Sequence, residues 1–432
     1  MNIFSLLSER WNDSNHPFLI NEGSKLFISD LVEAKTTNLE HIKSGDIVVL
    51  IGDFNPISIS TLFKLIDIGA IIAPLTSDTI SNHDYFFKQI NPDWIIENND
   101  LKKVNGLVNN HPLVNNLRDK SEFGFIFFSS GTGGKPKAIL HSGKNLLKKY
   151  LKTSRPLKAL NFLMFDHLGG INTFFHIVFN CGTIIGLKKR TIKEVLYLCE
   201  KYQVELLPTT PTFLRMLLLS GLVPDKIPRS IKIISYGTEL MDESTLKKLC
   251  VLLPNIEFRQ TYGLSEFNAF RIKGETKCSL YFKFDNEEVQ IKIIDDILYL
   301  KSKFAMLGYI NANSPFDNDG WFKTNDIIEK KNDYIKIVGR DRDVINVGGL
   351  KFMAADVEKI ALSNSIVANI SVISKKNPIT GNHVEAIIEL KKNEEKNRLK
   401  IKKYFREKLP SHMMPQKISF DNIKISNRFK KK

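Results

Sequence analysis

Short apolar runs alternate with helical periodicity through the first 125 residues. An apolar run at residues 47–51 is followed by apolar positions three and four apart at 61–68, and a second apolar run lies at 71–75. Such runs are typical of buried strands, and the three-four spacing is typical of a helix. Further strands at 204–208 and 231–235, around a helix at 212–219, extend the theme. The pattern predicts a layered α/β body.

The pattern changes near residue 280. Apolar and polar positions alternate at 289–293, and further strand-like segments follow at 297–300 and 334–338. Strict alternation predicts half-buried, antiparallel strands. After residue 339 a helix, two strands and another helix are predicted in a short stretch. We therefore expect a large N-terminal domain, 1–338, of layered α/β subdomains plus a small β-rich subdomain, followed by a small, mobile α+β domain, 339–432.

Composition is that of an ordinary globular protein. The 432 residues are 43% hydrophobic and 25% charged, enough for two or three packed units. A net charge of +15 favours polyanionic partners such as nucleotides or acidic carrier proteins. The lysines are scattered, with no basic stripe interleaved with aromatic residues, so a nucleic-acid partner is not expected.

The four cysteines are widely spaced, form no CxxC pair and lie beside no histidine at metal-ligand spacing: Cys181, Cys199, Cys250 and Cys278. Four buried, reduced thiols are the expectation. The N-terminus lacks the basic start and long apolar core of a signal peptide. No apolar run approaches the roughly 20 residues that cross a bilayer. These features predict a cytoplasmic protein without a membrane span.

Residues 127–137 hold the segment with the most chemical content. An apolar run ends in a turn whose hydroxyls, glycines and lysines are the donors that phosphate oxygens bind. The turn comprises Ser129, Ser130, Gly131, Thr132, Gly133, Gly134, Lys135, Pro136 and Lys137. It matches neither the Walker A spacing nor the dinucleotide-binding fingerprint, because Pro136 stands where each pattern needs another residue. By itself, the turn fits a phosphate-binding loop and a plain surface turn equally well.

Three further segments narrow the interpretation: residues 260–266 (QTYGLSE), 320–326 (GWFKTND) and 339–349 (GRDRDVINVGG). Their order and distances from the turn, together with residues 67–75 and 409–415, resemble the adenylate-forming superfamily of acyl- and aryl-CoA synthetases, peptide-synthetase adenylation domains and luciferases. The resemblance covers nearly the whole chain.

The resemblance implies ATP-dependent activation of a carboxylic acid to an acyl-adenylate, with release of pyrophosphate, and transfer of the acyl group to a thiol. The turn would hold the β and γ phosphates, with Thr132 and Ser265 beside them, and Glu266 would ligate Mg²⁺. Asp326 would accept hydrogen bonds from both ribose hydroxyls, and Arg340 would reach the ribose and phosphate edge. The adenine would lie between the segment Ser235, Tyr236, Gly237, Thr238 and Glu239 on one side and Tyr262, followed by Gly263, on the other.

The resemblance also assigns residues of the C-terminal domain. Lys430 matches the adenylation lysine, although Phe429 replaces the usual glycine and the usual proline is missing. Arg342 matches the hinge about which the small domain rotates after adenylation. Gly348 and Gly349 would line the path of the pantetheine arm of CoA or a carrier protein.

The acyl substrate is less well defined. Residues 164–170 resemble the acyl-ligase segment that places His167 at the gate of the acyl pocket. Asp166 after Phe165 could instead be the acid that binds a substrate ammonium group in amino-acid-activating relatives. A small acyl substrate is expected, and CoA and carrier-protein pantetheine remain equal alternatives as acceptors. A nucleotide-binding homologue without turnover is the remaining alternative, because Gly133 replaces a threonine usual in relatives.

Overall fold

The computed structural model describes residues 3–12, 14–33, 38–104, 106, 109–129, 135–284, 289–377 and 381–423. Its α-helices are α1 (Ile3–Trp11), α2 (Asp30–Glu33), α3 (Pro56–Ile68), α4 (His83–Ile90), α5 (Pro112–Asp119), α6 (Gly143–Lys148), α7 (Leu168–Phe179), α8 (Ile192–Tyr202), α9 (Pro211–Leu219), α10 (Glu243–Leu252), α11 (Ala354–Leu362) and α12 (Glu395–Lys408). Short 3₁₀ turns lie at Ser77–Asn82, Asp341–Asp343 and Ser411–Met413.

The strands that build the N-terminal body are β1 (Leu19–Asn21), β2 (Ser24–Leu26), β3 (Ile47–Ile51), β4 (Ile71–Leu75), β5 (Trp94–Glu97), β6 (Asp100–Lys103), β7 (Gly124–Phe128), β8 (Ala138–Ser142), β9 (Lys158–Leu160), β10 (Thr183–Ile185), β11 (Leu206–Thr209), β12 (Ile233–Tyr236), β13 (Glu257–Gln260), β14 (Tyr262–Leu264) and β15 (Asn268–Phe270). The later strands are β16 (Ile272–Gly274), β17 (Phe282–Phe284), β18 (Val289–Ile294), β19 (Ile297–Ser302), β20 (Gly308–Tyr309), β21 (Phe322–Lys331), β22 (Tyr334–Arg340), β23 (Val344–Val347), β24 (Leu350–Met353), β25 (Val367–Asn377), β26 (Gly381–Leu390) and β27 (Lys417–Phe420).

Two mixed sheets form the N-terminal body. One has the order β20-β8-β7-β4-β3-β5-β6, and the other has the order β13-β12-β11-β9-β10-β1-β2. Their central strands are parallel, as the buried apolar runs require. Helices α3 and α7 lie between the sheets, where Phe63, Phe174 and Phe175 pack ring against ring. The sheets and the two helices therefore share one core.

The rest of the chain contains the predicted antiparallel strands, although Ile291 of the alternating segment is exposed rather than half-buried. An antiparallel sheet of order β16-β17-β22-β21-β19-β18 forms the β-rich subdomain. The C-terminal unit packs α11 and α12 on the sheet β25-β26-β27. The predicted fold class is thus confirmed. The boundary at residues 338 and 339 stays a prediction, and β22 runs across it to Arg340.

Helix α3 shows how local chemistry sets the bounds that apolar periodicity misses. The periodicity predicts a helix from residue 61, yet α3 begins at Pro56. Asn55 caps it, since its side chain accepts the backbone N–H of Ser58, and a proline suits the first helical position. The helix ends at Gly69, whose φ of 89° is in the left-handed region.

One sequence prediction about the fold is wrong. Cys250 of α10 and Cys278, in the segment before β17, form a disulfide, so the four cysteines are not all reduced thiols. Cys199 is buried and Cys181 is only half-buried, and both are free thiols. The bonded cysteines are 28 positions apart and form no spacing motif, because packing brings them together. Among the described helices, none is both long and apolar enough to cross a bilayer.

Candidate functional site

A cavity of about 2210 Å³ lies between the N-terminal body and helix α11. Its walls include α7, the hairpin β14–β15 and residues at the carboxyl ends of β11 and β12, which is where open α/β sheets bind ligands. The predicted site residues that line it are Ser129, Lys135, Lys137, His167, Ser235, Tyr236, Gly237, Thr238, Tyr262, Gly263, Ser265, Glu266, Asp326, Arg340 and Arg342. The fold therefore brings together residues that lie more than 200 positions apart in the sequence.

The glycine-rich turn joins the antiparallel strands β7 and β8. Its base is closed by two hydrogen bonds of 2.9 Å, in which Ser129 N donates to the Lys137 carbonyl and Lys137 N donates to Ser129 Oγ. Both residues line the cavity, and so does Lys135. The predicted phosphate-binding residues at the tip lie outside the described part of the chain: Ser130, Gly131, Thr132, Gly133 and Gly134.

Glu266 is held by a residue that sequence reasoning missed. The Tyr309 hydroxyl donates to Glu266 Oε1 at 2.7 Å, and Lys137 Nζ lies 4.5 Å from the centroid of the Tyr309 ring. Burial and the Glu266 charge raise the pKa of Tyr309, so the hydroxyl keeps its proton. Tyr309 thus joins the carboxylate to a lysine of the phosphate turn. Only the pairing of β20 with β8, which places Tyr309 opposite Ile139, reveals this contact.

Asp326 is a buried, hydrogen-bonded carboxylate of the cavity. Only 3% of it is exposed, and its two oxygens accept hydrogen bonds from the Tyr262 hydroxyl at 2.6 Å and from Arg340 Nε at 3.0 Å. Burial raises the pKa of Asp326, and the charge of Arg340 acts in the opposite direction. Asp326 and Arg340 are direct partners across β21 and β22. We call these three residues the Asp326 network.

The network gives Tyr262 a contact that the sequence did not predict. The resemblance places its ring against an adenine, whereas in the structure the ring packs among Phe270 and Phe282 with its hydroxyl on Asp326. The tyrosine remains part of the cavity wall. In this position Tyr262 holds the Asp326 carboxylate through a hydrogen bond, and its contact with an adenine stays a prediction.

The segment that follows β12 passes close to Thr261, which lies between β13 and β14. A Cβ added at Gly237 would lie 2.2 Å from Thr261 Oγ1, so this position accommodates no side chain. Thr238 has a φ of 69°, in the left-handed region. Tyr236 is buried, and burial raises its pKa. The segment is thus a tightly packed edge of the cavity.

An ion pair and a hydrogen bond, neither predicted from the sequence, attach this segment to α9. Arg215 and Asp242 form a buried ion pair of 3.1 Å between Nη1 and Oδ2. Glu239 accepts the backbone N–H of Thr212 at the start of α9. Asp242 also caps α10 by accepting from Thr245 N. An aspartate just before an apolar helix, such as Asp242, is a recognisable capping signal. Its pairing with Arg215, 27 residues earlier, leaves no signal in the sequence.

His167 caps helix α7. Its Nδ1 accepts the N–H of Gly169 at 3.0 Å, and the residue lines the cavity beside Leu163. Asp166 lies elsewhere: it is 8% exposed, is not part of the cavity wall, and accepts a hydrogen bond from Thr76 Oγ1. The structure therefore separates the two acyl-pocket alternatives in space.

The residues predicted in the C-terminal unit are more scattered. Arg342 lines the cavity within a short 3₁₀ turn. Gly348 and Gly349 form the tip of the hairpin β23–β24, with φ values of 58° and 88°, and lie outside the cavity wall. Their role on a pantetheine path stays a prediction. Lys430 lies outside the described residues.

Comparison with known proteins points to one family. Residues 41–296 match the family described as AMP-binding enzyme, and residues 356–423 match the AMP-binding enzyme C-terminal domain. Among curated proteins, 4-coumarate--CoA ligase-like 6 of Arabidopsis thaliana is 24% identical over 59% of this chain and 51% of its own length. Acyl-CoA synthetase 7 of Caenorhabditis elegans is 25% identical over 71% of this chain and 64% of its own. The chain thus spans half to two thirds of these relatives.

Solved structures share the fold over nearly the full length. One is the o-succinylbenzoate CoA synthetase of Bacillus subtilis in complex with its acyl-adenylate intermediate, with a TM-score of 0.77 and 19% identity. The superposition covers 99% of this chain and 96% of the synthetase. The anthranilate CoA ligase AuaEII, in complex with anthranoyl-AMP, has a TM-score of 0.78 at 15% identity, covering 100% and 95%. The first family match alone covers more than half of the chain, and the chain belongs to the AMP-binding enzyme family.

Proposed function

We propose that this protein activates a carboxylic acid with ATP and transfers the acyl group to a thiol. An oxygen of the carboxylate attacks the α-phosphorus, the bond to the bridging oxygen breaks, and pyrophosphate leaves. The thiolate of the acceptor then attacks the acyl-adenylate, and AMP leaves. Reactions at phosphorus of this kind depend mainly on positioning and on neutralisation of charge.

One observation carries the proposal: the Asp326 network and the Glu266–Tyr309–Lys137 contact line the same cavity. A buried carboxylate with fixed oxygens is suited to accept hydrogen bonds from a ribose diol. Arg340, 42% exposed in its side chain, has donors left over for a phosphate. Lys135 and Lys137 at the base of the turn bring positive charge toward a triphosphate.

Glu266 is the residue that would hold Mg²⁺ in this proposal. Among the described residues no three His, Cys, Asp or Glu side chains are grouped to hold a metal ion. A single carboxylate fits Mg²⁺, which is commonly bound by one or two carboxylates, substrate phosphates and water. The ion would neutralise charge on the phosphates when bound. The donated hydroxyl of Tyr309 orients the carboxylate without competing for its other oxygen.

The position of Asp166 favours an acyl substrate over an amino acid. An ammonium-binding acid would have to face the cavity, whereas Asp166 is buried against Thr76 and is absent from the wall. His167, Leu163 and Gly169 line this wall instead, and an acyl chain could pack against them. The related proteins are named as ligases or synthetases of 4-coumarate, o-succinylbenzoate and anthranilate with CoA, which favours CoA over a carrier protein as the acceptor.

We propose a cytoplasmic location, where ATP and CoA are available. The Cys250–Cys278 disulfide is unusual for that compartment. Alkylation of the protein in freshly lysed cells, followed by mass spectrometry, would determine whether these thiols are bonded there.

The experiment that tests the function is acid-dependent exchange of pyrophosphate into ATP over a panel of carboxylic and amino acids. ATP binding is measured in parallel by calorimetry. We expect exchange with carboxylic acids and not with amino acids. ATP binding without exchange for any acid would contradict the activity and leave a nucleotide-binding protein.

Lys430 gives a second test, because the resemblance assigns it to adenylation alone. For Lys430→Ala we expect exchange to fall by about 100-fold or more, as for loss of a charge that stabilises a transition state. Conversion of a supplied acyl-adenylate to the thioester should persist. Lys432→Ala is the matched control. Equal loss in both half-reactions would show that Lys430 is misassigned.

A further inference from the structure

One face of helix α7 leads away from His167 along the cavity. Gly169, Asn172, Thr173 and His176 all line the wall, and their spacing places them on the same side of the helix. From His167 to His176 the helix rises on the order of 13 Å. The cavity therefore extends well beyond the His167 region into a second end.

Lys149 lies at this end, directly after helix α6. The residue is half-buried, and its Nζ donates to the Ala269 carbonyl at 3.4 Å, a long hydrogen bond. The ammonium also lies 5.0 Å from the centroid of the Tyr150 ring. Among the described residues, no carboxylate lies within ion-pair distance of Lys149. When protonated, Lys149 thus carries a charge that no carboxylate of the described residues neutralises.

Two arginines extend the positive charge. Arg271, just past β15, lines the same cavity and has no ion pair with any described carboxylate. Arg259 also lines it and is paired with Glu257 through two hydrogen bonds of 2.6 and 2.8 Å. Lys149, Arg259 and Arg271 together lower the pKa of His176, beyond the larger effect of burial, to about 4. We call Lys149, Arg259 and Arg271 the basic cluster; the uncharged His176 lies on the same wall.

Asn268 adds a buried donor to the same wall. It is 5% exposed, and its Oδ1 accepts the N–H of Ala269. Its side chain opposes the rise in the pKa of Tyr150, but no described group accepts a hydrogen bond from Nδ2. The Tyr150 hydroxyl itself donates to Asn172 Oδ1 at 2.8 Å. A buried amide donor without an acceptor is costly, and an anionic oxygen in the cavity would satisfy it.

We propose that the basic cluster and Asn268 bind a second carboxylate of the acid, so that the substrate class is dicarboxylic acids with an extended or aromatic spacer. This inference rests on the proposed function. The reacting carboxylate would lie near His167 and the phosphate turn. The second would lie on the order of 10 Å away, given the rise of α7. Ionised carboxylates bind ammonium and guanidinium groups through charge-assisted hydrogen bonds, the strong kind in proteins.

A phosphate of CoA is the other anionic group that the cluster could bind. The unpartnered donor favours the acid, because Asn268 is buried whereas a CoA phosphate would remain close to solvent. The two sources are distinguishable, since pyrophosphate exchange requires no CoA.

The experiment measures kcat/KM for pyrophosphate exchange with paired mono- and dicarboxylic acids of equal length, from four to twelve carbons. The wild-type protein should prefer the longer dicarboxylic acids. In Lys149→Met the ratio of dicarboxylic to monocarboxylic kcat/KM should fall by about 10- to 100-fold, the usual effect of losing a charged hydrogen-bond partner. Arg271→Gln, at an exposed position, should lower it less. Lys144→Met, an exposed lysine of α6 outside the cavity wall, is the matched control.

Thermal unfolding and ATP binding are checked for each variant, and Arg271→Gln serves if Lys149→Met fails to fold. Equal exchange with both acids of each pair in the wild-type protein would overturn the inference and leave the acid–thiol ligase intact. An effect of Lys149→Met only on the KM for CoA would assign the cluster to a CoA phosphate and overturn it too. No exchange with any acid, despite ATP binding, would contradict the proposed function itself.

Discussion

The two ends of the cavity differ in whether their charged side chains have partners within the protein. At one end, Asp326 has both oxygens hydrogen-bonded to Tyr262 and Arg340, and Glu266 accepts from Tyr309. At the other end, Lys149 and Arg271 have no carboxylate partner among the described residues. The first end holds its carboxylates in place before any ligand binds. At the second end, a ligand would neutralise the charges of Lys149 and Arg271.

This difference follows from what each end would have to recognise. A ribose diol is neutral, so its receptor must be a fixed acceptor whose own charge is already balanced. An anionic group on an acid brings its own charge, so a balanced receptor would gain nothing from binding it. Paired carboxylates at the first end, and cations without a described carboxylate partner at Lys149 and Arg271 of the second, are therefore consistent with a sugar at the first end and a carboxylate at the second.

The largest effect is expected at the fixed end. Asp326→Ala removes the acceptor of both Tyr262 and Arg340, and we expect the Kd for ATP to rise by about 10- to 100-fold. Calorimetric titration with ATP measures it. Asp333→Ala, in the exposed turn at the far end of the same β21–β22 hairpin, is the matched control. A Kd for ATP like that of the wild-type protein would place the ribose contact elsewhere.

A smaller effect at the same end is expected for Tyr309→Phe. The ring stays beside Lys137, but Glu266 loses a hydrogen bond worth about 1.5 to 3 kcal/mol for a charged acceptor, so more Mg²⁺ should be needed for half-maximal exchange. Mg²⁺ titration of the exchange rate measures this change. Tyr281→Phe removes another tyrosine–glutamate hydrogen bond, to Glu329 on an exposed surface, and should leave the Mg²⁺ dependence unaltered. A similar shift in both variants would contradict the assignment of Glu266.

The smallest effect concerns pH at the unbalanced end. Burial lowers the pKa of Lys149 to about 7, and His176, with its pKa lowered to about 4, stays neutral above that value. Burial raises the pKa of Tyr150, so its hydroxyl keeps its proton, while the arginines stay charged and the acid stays ionised. The dicarboxylic preference should therefore fall severalfold between about pH 6 and about pH 9, as the ammonium is lost.

The control for this profile is Lys149→Met, whose ratio of the two acids should not depend on pH. An unchanged wild-type ratio across the range would mean that Lys149 does not bind the second carboxylate. Rising pH has opposite effects on the two properties that depend on Lys149: it weakens binding of the second carboxylate but stabilises the folded protein. Between about pH 7 and about pH 10 the unfolded chain binds more protons at this lysine than the folded chain does, so its destabilising effect diminishes as pH rises.

Much of this protein is readable from local sequence. The apolar runs at 47–51 and 71–75 are the buried strands β3 and β4, because a continuous apolar run favours burial on both faces of a sheet. The alternation at 289–293 correctly predicted the antiparallel strand β18, but not its burial, since Ile291 is exposed. The resemblance to the adenylate-forming superfamily also implied site roles for Asp326, Glu266 and His167, and all three line one cavity. Residue type and spacing suffice for the strands, since strand patterns depend on near neighbours in the chain.

Tertiary packing decided the contacts between distant residues. Tyr262 meets Asp326 across 64 positions, Tyr309 meets Glu266 across 43, and Lys149 meets Ala269 across 120. The Cys250–Cys278 disulfide belongs to the same class. No local pattern encodes such pairs, because strand register and the packing of one sheet on another set them. The sequence alone thus identified groups that line the cavity near the nucleotide motifs. Only the three-dimensional fold showed which charged side chains are paired with described residues and which are not.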